Sequence, residues 1–352
     1  MTASVRTELA VRGLRGRPPV RRRAGAGPSD DGHYTLGGRA VTLPLADDSP
    51  FTIEDGVLRR DGVVVEDAAL EPVGRPCFYD LRTRDGVPYE QIARLHGSDV
   101  LATTVVQTCI RYASEATRCR FCTIEESLAS GATTRVKFPG QLAEVAAAAV
   151  ALDGVRQLVM TTGTSNGPDR GARHLARCAA AVRAVAPGLP IQVQIEPPID
   201  LAWIARLRTA GVNAIGIHVE SLDDEVRRRF TPGKAEVPLA RYDEAWREAV
   251  RVFGANRVST YLLVGLGEDL DELVVGAARL IGMGVYPFVV PYRPLAGSLA
   301  TAEGVCAPDP AILAEATARV GAALRDAGMR GADQGAGCAA CGACSALAAV
   351  GG

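Results

Sequence analysis

A chain of 352 residues with 47% hydrophobic side chains carries enough apolar material for a large core, which excludes global disorder and permits one barrel-sized domain or two smaller ones. Its 39 Lys and Arg balance 40 Asp and Glu, so charge gives no basis for binding nucleic acid or a membrane surface. Its apolar runs are all shorter than the roughly 18 residues a membrane span needs.

Residues 1–30 read as a flexible basic arm. Arg6, Arg12, Arg15, Arg17, Arg21, Arg22 and Arg23 come without the apolar stretch of a secretion signal, and Pro18, Pro19, Gly25 and Gly27 favour disorder. A cytoplasmic protein is expected. Residues 31–98 read as a β-rich extension of short strands, with turns at Gly37-Gly38, Gly56 and Asp61-Gly62. Over 99–304 the rhythm changes. Apolar β-branched runs at 101–106, 157–160, 191–195, 214–219, 258–264 and 285–290 alternate with helical patterns at 141–152, 172–185, 201–209, 239–252 and 270–283. Near-continuous apolar runs are the mark of parallel strands buried on both faces. Repeated strand–helix units without a dinucleotide-type glycine fingerprint predict an α/β fold, a partial (β/α)6 TIM-type barrel. Residues 305–352 hold a last helix, 311–327, and a Cys-rich tail. That tail is expected to fold back over the barrel mouth.

The nine cysteines are an odd number in a large chain, a poor basis for a disulfide framework. Cys109, Cys119 and Cys122 directly follow the first barrel strand, at the end where barrel active sites form. Three thiolates there can hold three corners of a cubane iron–sulfur cluster and leave the fourth iron open. With His96 or Glu115 as a fourth ligand they could instead hold a structural zinc. Cys338, Cys341 and Cys344 are spaced by pairs of Gly and Ala residues small enough to wrap an inorganic core. Cys77, Cys306 or a substrate could complete that set, and a zinc knot is the alternative. Cys178, in an apolar helix pattern, reads as core filler.

The Phe121-Cys122 ending of the first set resembles the cluster loop of the radical SAM superfamily, although the first cysteine gap is longer than the family's commonest one. The likeness covers about residues 100 to 300. It implies a [4Fe-4S] cluster that ligates S-adenosylmethionine beside Phe121. Thr162-Gly163-Thr164 stands where the family grips the methionyl amino group, and Thr164 brings no charge to that task. Glu196 matches an acceptor for the ribose hydroxyls, and Leu263 and Gly265 lie on the strand similar to the family's adenine contact. His218 and Glu220, two residues apart, would face one side of the fourth strand and orient sugar or substrate. Arg293 before Pro294 could hold a substrate carboxylate.

Segments 216–221, 227–233, 264–268 and 290–295 resemble the biotin synthase and lipoyl synthase branch. With the three-cysteine tail, the chain looks most like a radical SAM family encoded beside nitrilases in bacterial gene clusters, which implies a link to nitrile or cyanide metabolism. The resemblance further implies reductive cleavage of S-adenosylmethionine to a 5′-deoxyadenosyl radical acting on a small-molecule substrate. A second iron–sulfur cluster in the tail and a reductant such as flavodoxin or ferredoxin go with it. A sulfur-inserting transferase of the lipoyl or biotin synthase kind is one alternative. A non-catalytic zinc-binding protein with two structural Cys sites is another.

Overall fold

The computed structural model describes residues 3–16 and 32–351. Five antiparallel strands form the first sheet: β1 (Gly32–Leu36), β2 (Arg39–Leu43), β3 (Phe51–Glu54), β4 (Val57–Arg60) and β5 (Val63–Pro72), in the order β2-β1-β5-β4-β3. Gly37 and Gly38, both at positive φ (57° and 76°), make the tight β1–β2 turn. Tyr34, Leu36, Val41, Phe51 and Leu58 close a small core with Leu9 and Leu14.

Those two leucines belong to the segment expected to be a flexible arm, and here the structure corrects the reading. Ala3–Arg12 is a helix, and Val5 and Leu9, one turn apart, face the sheet. The arginines dominate the composition of this segment and hide a short apolar stripe. Arg6 is itself buried and donates to the Gly342 carbonyl at 2.8 Å. Residues 17–31, the rest of the expected arm, lie outside the described residues.

The second sheet carries β6 (Arg94–His96), β7 (Val100–Thr104), β8 (Gln157–Thr161), β9 (Ile191–Ile195), β10 (Ala214–Ile217), β11 (Val258–Val264) and β12 (Val285–Pro291), paired in sequential order. Strands β7 to β12 are parallel, with the helices between them, and form a partial TIM-type barrel. Strand β6 adds antiparallel to β7 at the edge, so the boundary expected at 98 cuts through this sheet. Three residues are too few to show a period.

Register separates the two faces. Leu158, Met160, Val193, Ile215, Ile217 and Leu262 point outward into the helix-packed core. One residue off, Thr104, Thr161, Gln194, Gly216, Ser259 and Tyr286 form a row across the sheet on the lumen side. His218, Tyr261 and Phe288 belong to the next row toward the carboxyl ends.

The tail enters this lumen from the end opposite to the one expected. The helix Pro310–Asp326 starts near the carboxyl end of β11, where Pro308 touches Gly265. It finishes near the amino end, where Asn256 Nδ2 donates to the Arg330 carbonyl at 2.9 Å. A helix that follows a barrel strand runs back against it, so the chain leaves it at the barrel's floor. There the Gly337 N–H donates to Gln157 Oε1 at the start of β8 (2.7 Å). Among the described residues, no helix is long and apolar enough to cross a membrane.

Candidate functional site

The loop after β7 carries the first three thiols. Its backbone is pressed against the loop after β8. Gly163 N–H donates to the Val106 carbonyl (2.8 Å) and Ile110 N–H to the Thr164 carbonyl (3.0 Å). A Cβ at Gly163 would lie 2.1 Å from the Thr108 carbonyl oxygen, so only glycine lets the two loops meet beside Cys109. Cys119 and Cys122 share a turn, with Cys122 N–H donating to the Cys119 carbonyl at 2.9 Å. Desolvation pushes the Cys119 thiol well up and the Cys122 thiol to about 11, and the neighbouring thiols, Cys109 included, add to both. These thiols share one neighbourhood. Among the described residues, no three His, Cys, Asp or Glu side chains converge on a single-ion position.

Two buried ion pairs stand beside the thiols. Glu196, just past β9, accepts from Arg111 Nε (2.8 Å) and Nη2 (3.1 Å). Glu220 accepts twice from Lys234 Nζ, at 2.7 and 2.9 Å. Burial opposes the Lys234 charge, but Glu220, Tyr242 and Cys119 together outweigh it and raise its pKa. Neither cation was singled out in the sequence. Lys234 follows the Pro232-Gly233 step of a short helix, and a Cβ at Gly233 would strike the Thr117 carbonyl (2.5 Å), so that helix packs tightly on the cysteine loop.

His218 and Glu220 stand just beyond the carboxyl end of β10, which stops two residues short of the run expected to reach 219. Glu220 takes a left-handed backbone (φ 66°), which breaks the simple alternation. His218 still faces the lumen. Its ring stacks on Tyr261 (4.0 Å, 4°) and its Nδ1 accepts from the Tyr261 N–H (3.2 Å). Burial, helped by Lys234, pushes its pKa down to about 3. The neutral ring therefore carries its proton on Nε2, a buried atom without a partner among the described residues.

The tail thiols meet the lumen from below. Cys338 Sγ accepts from the Tyr261 hydroxyl (2.8 Å) and from Gln194 Nε2 (3.1 Å). Cys344 Sγ lies 3.2 Å from Thr42 Oγ1 and 3.5 Å from His96 Nε2. Cys77 and Cys306 are exposed, and Cys178 is buried within its helix, where desolvation pushes its thiol up to about 12.

One cavity of about 260 Å³ reaches from the first loop to the tail, lined by Phe121 of that loop, Cys344 of the tail, and Glu220, Tyr261, Leu263 and Arg293 between them. Arg293 Nη2 donates to the Thr42 carbonyl at 2.9 Å, which ties this strand end to the first sheet. Gly265 (φ 108°) and Leu266 both donate their N–H groups to Glu268, fixing the turn after β11.

The family model described as the radical SAM superfamily matches residues 116–281, a span that includes Cys119 and Cys122 and leaves Cys109 outside. The chain is 30% identical over 112 residues to bacteriochlorophyllide c C-7(1)-hydroxylase of Chlorobaculum limnaeum, covering 31% of this chain and only 28% of that protein. It is 26% identical over 268 residues to the lipoyl synthase of Halorhodospira halophila, covering 68% and 75%. Methylornithine synthase has a TM-score of 0.47 at 16% identity, covering 69% of this chain and 70% of that one. The FeFe-hydrogenase maturase HydG of Carboxydothermus hydrogenoformans has a TM-score of 0.47 at 19% identity, covering 64% and 50%. The family implies a [4Fe-4S] cluster and S-adenosylmethionine. The donor set fits both: soft thiols for iron, and the open Nε2–H of His218 for a ligand acceptor. Over residues 116–281 the chain matches the radical SAM superfamily, and it is similar to lipoyl synthases of that kind along more of its length.

Proposed function

We propose that the chain cleaves S-adenosylmethionine reductively at a cluster held by Cys109, Cys119 and Cys122, and directs the product radical at a small molecule in the lumen cavity. Cys338, Cys341 and Cys344 hold a second iron–sulfur cluster on the far side of that molecule. The observation that carries this reading is the cavity, whose wall contains both Phe121 and Cys344.

Bound in this site, the cluster and S-adenosylmethionine supply a 5′-deoxyadenosyl radical able to abstract hydrogen from unactivated carbon. The residues of the chain bind and orient. Glu196, held flat by Arg111, offers its remaining lone pairs to the ribose hydroxyls. His218 Nε2–H donates to an acceptor on the nucleoside or the substrate. Arg293 faces a substrate carboxylate from the cavity wall. Leu263 and Phe121 give the cofactor an apolar surface within the cavity. A flavodoxin or ferredoxin supplies the electron.

A second reading, sulfur insertion with the tail cluster as donor, is favoured by the similarity to lipoyl synthase and by Cys344 in the cavity wall. Nitrile-derived acids are the first substrates to try, on the likeness to the family encoded beside nitrilases. Anaerobic reconstitution of the parent and of the two triple-alanine variants tests the reading. Each variant should lose about four irons. Only the loss of Cys109, Cys119 and Cys122 should end 5′-deoxyadenosine formation under dithionite. A colourless zinc protein would overturn it.

A further inference from the structure

We propose that His96 is the fourth protein ligand of the tail cluster, so that three thiolates and one imidazole complete the set. This rests on the two-cluster reading and goes beyond it by assigning a residue from a different part of the chain.

The geometry starts from β6. Arg94 pairs with Ala102, and Ala102 with Val159, on the lumen side of the register, so His96, two residues along β6, shares that face. Its Nε2 lies 3.5 Å from Cys344 Sγ. The next residue, Gly97 (φ 60°), brings the backbone against a second tail thiol, since a Cβ there would sit 3.3 Å from Cys341 Sγ and 3.2 Å from Ala40. The turn after β6 is thus shaped to the tail, and a side chain at 97 would push it away.

The imidazole is also held in place from behind. The His33 ring meets His96 edge-on (5.3 Å, 89°), and His33 Nδ1 accepts the Gly97 N–H at 2.9 Å. Outer contacts of this kind fix the ring orientation of a ligating histidine. The thiols are positioned independently of the histidine. Arg6 donates to the Gly342 carbonyl (2.8 Å), Thr42 N–H to the Ala343 carbonyl (3.0 Å), and Ser345 Oγ to the Val289 carbonyl (2.6 Å). Two sheets and the first helix therefore converge on one short tail. Cys77 and Cys306, the cysteines that could have completed the set, are exposed. An imidazole in place of a thiolate makes a cluster less negative and raises its reduction potential.

The test uses the full chain carrying C109A, C119A and C122A, reconstituted anaerobically with iron and sulfide and reduced without S-adenosylmethionine, so that only the tail cluster is paramagnetic. Pulsed EPR should show one strongly coupled imidazole nitrogen, whose pattern changes when the protein is made with 15N-histidine. In His96→Cys the coupling should vanish, the iron should stay, and the midpoint potential should fall. The labelled chain keeps the test open even where His96→Cys does not fold. Bound tail iron without imidazole coupling would overturn the assignment of His96 and leave the two-cluster reading standing. A folded chain with no tail iron would overturn both.

Discussion

At the carboxyl ends of the strands, Cys109, Cys119 and Cys122 share their surroundings with two buried ion pairs, Arg111–Glu196 and Lys234–Glu220. On the side from which the tail enters the lumen, Cys338 and Cys344 meet a tyrosine hydroxyl, an amide, a threonine and an imidazole. Burying an ion pair costs desolvation that Coulomb attraction only partly offsets, so a fold without need of charge does better with apolar packing. Two such pairs beside one thiol set fit the proposed site for a charged ligand. S-adenosylmethionine, with its sulfonium, amine and carboxylate, is such a ligand. The hydroxyl and amide that donate to Cys338 suit a group that is held and tuned in place, since hydrogen bonds to cluster sulfurs shift its potential.

The largest effect that can break this contrast is loss of a thiol at the charged end. Cys119→Ala should bring 5′-deoxyadenosine to the level of the uncatalysed background, while Cys338→Ala should leave it near the parental level. Equal losses in the two variants would erase the division of labour between the ends. Next in size is the Glu220 pair. Lys234→Met leaves a buried carboxylate without its partner, and urea unfolding should show a loss of about 3–5 kcal/mol. Replacing both partners, as Lys234→Met with Glu220→Leu, should recover most of that stability. A single variant as stable as the parent would mean that the pair is solvated in solution.

The contrast was only half legible in the sequence. The parallel strands stood out because runs such as 191–195 and 258–264 are rich in apolar and β-branched residues and recur between helical patterns, as buried parallel strands do. The thiols stood out because cysteine spacing is local. Lys234 and Arg111 did not, and His96 was read only against the first cysteine set, because a charge or a ring acquires meaning from a partner far along the chain: Arg111 meets Glu196, and His96 meets Cys344. The direction of the tail was legible in principle. A helix of 17 residues covers about 25 Å, enough to carry the chain from the mouth of the barrel to its floor. The helix Ala3–Arg12 was hidden by arginines, one of which proves to be buried.

A smaller effect sharpens the reading of Glu196. Its carboxylate already receives two hydrogen bonds from Arg111, so Glu196→Gln should keep the local fold better than Glu196→Ala, which leaves a buried guanidinium without its partner. S-adenosylmethionine should bind the Gln variant more weakly by about 1–3 kcal/mol, with iron content unchanged. Calorimetry on the reconstituted protein gives the affinity, and an iron assay gives the iron content. Unaltered affinity would make Glu196 a positioning partner of Arg111 and nothing more.

The smallest effect comes from a lysine that lacks what Lys234 has. Lys137 is 1% exposed, donates to Gln107 Oε1 (3.0 Å) and to the Thr134 carbonyl (2.8 Å), and faces no carboxylate in those contacts. Burial first, and Arg94 second, push its pKa down to about 7. In the unfolded chain a lysine titrates near 10.4. Between these values the unfolded chain binds a proton that the folded chain has released, so stability rises with pH across this window and is lost as pH falls through about 7. From pH 7 to pH 8 the gain is about 1 kcal/mol for a single group of this kind. Lys137→Met removes the group and should flatten that rise, so the urea stability of the parent relative to the variant should climb by about 1 kcal/mol from pH 7 to pH 8. Lys234 itself contributes no such climb, because its pKa is raised and stays above this window. Parallel pH profiles for the Lys137→Met variant and the parent would show that Lys137 stays charged in the fold, through water reaching its amine. The two buried lysines would then differ in partner alone, not in protonation.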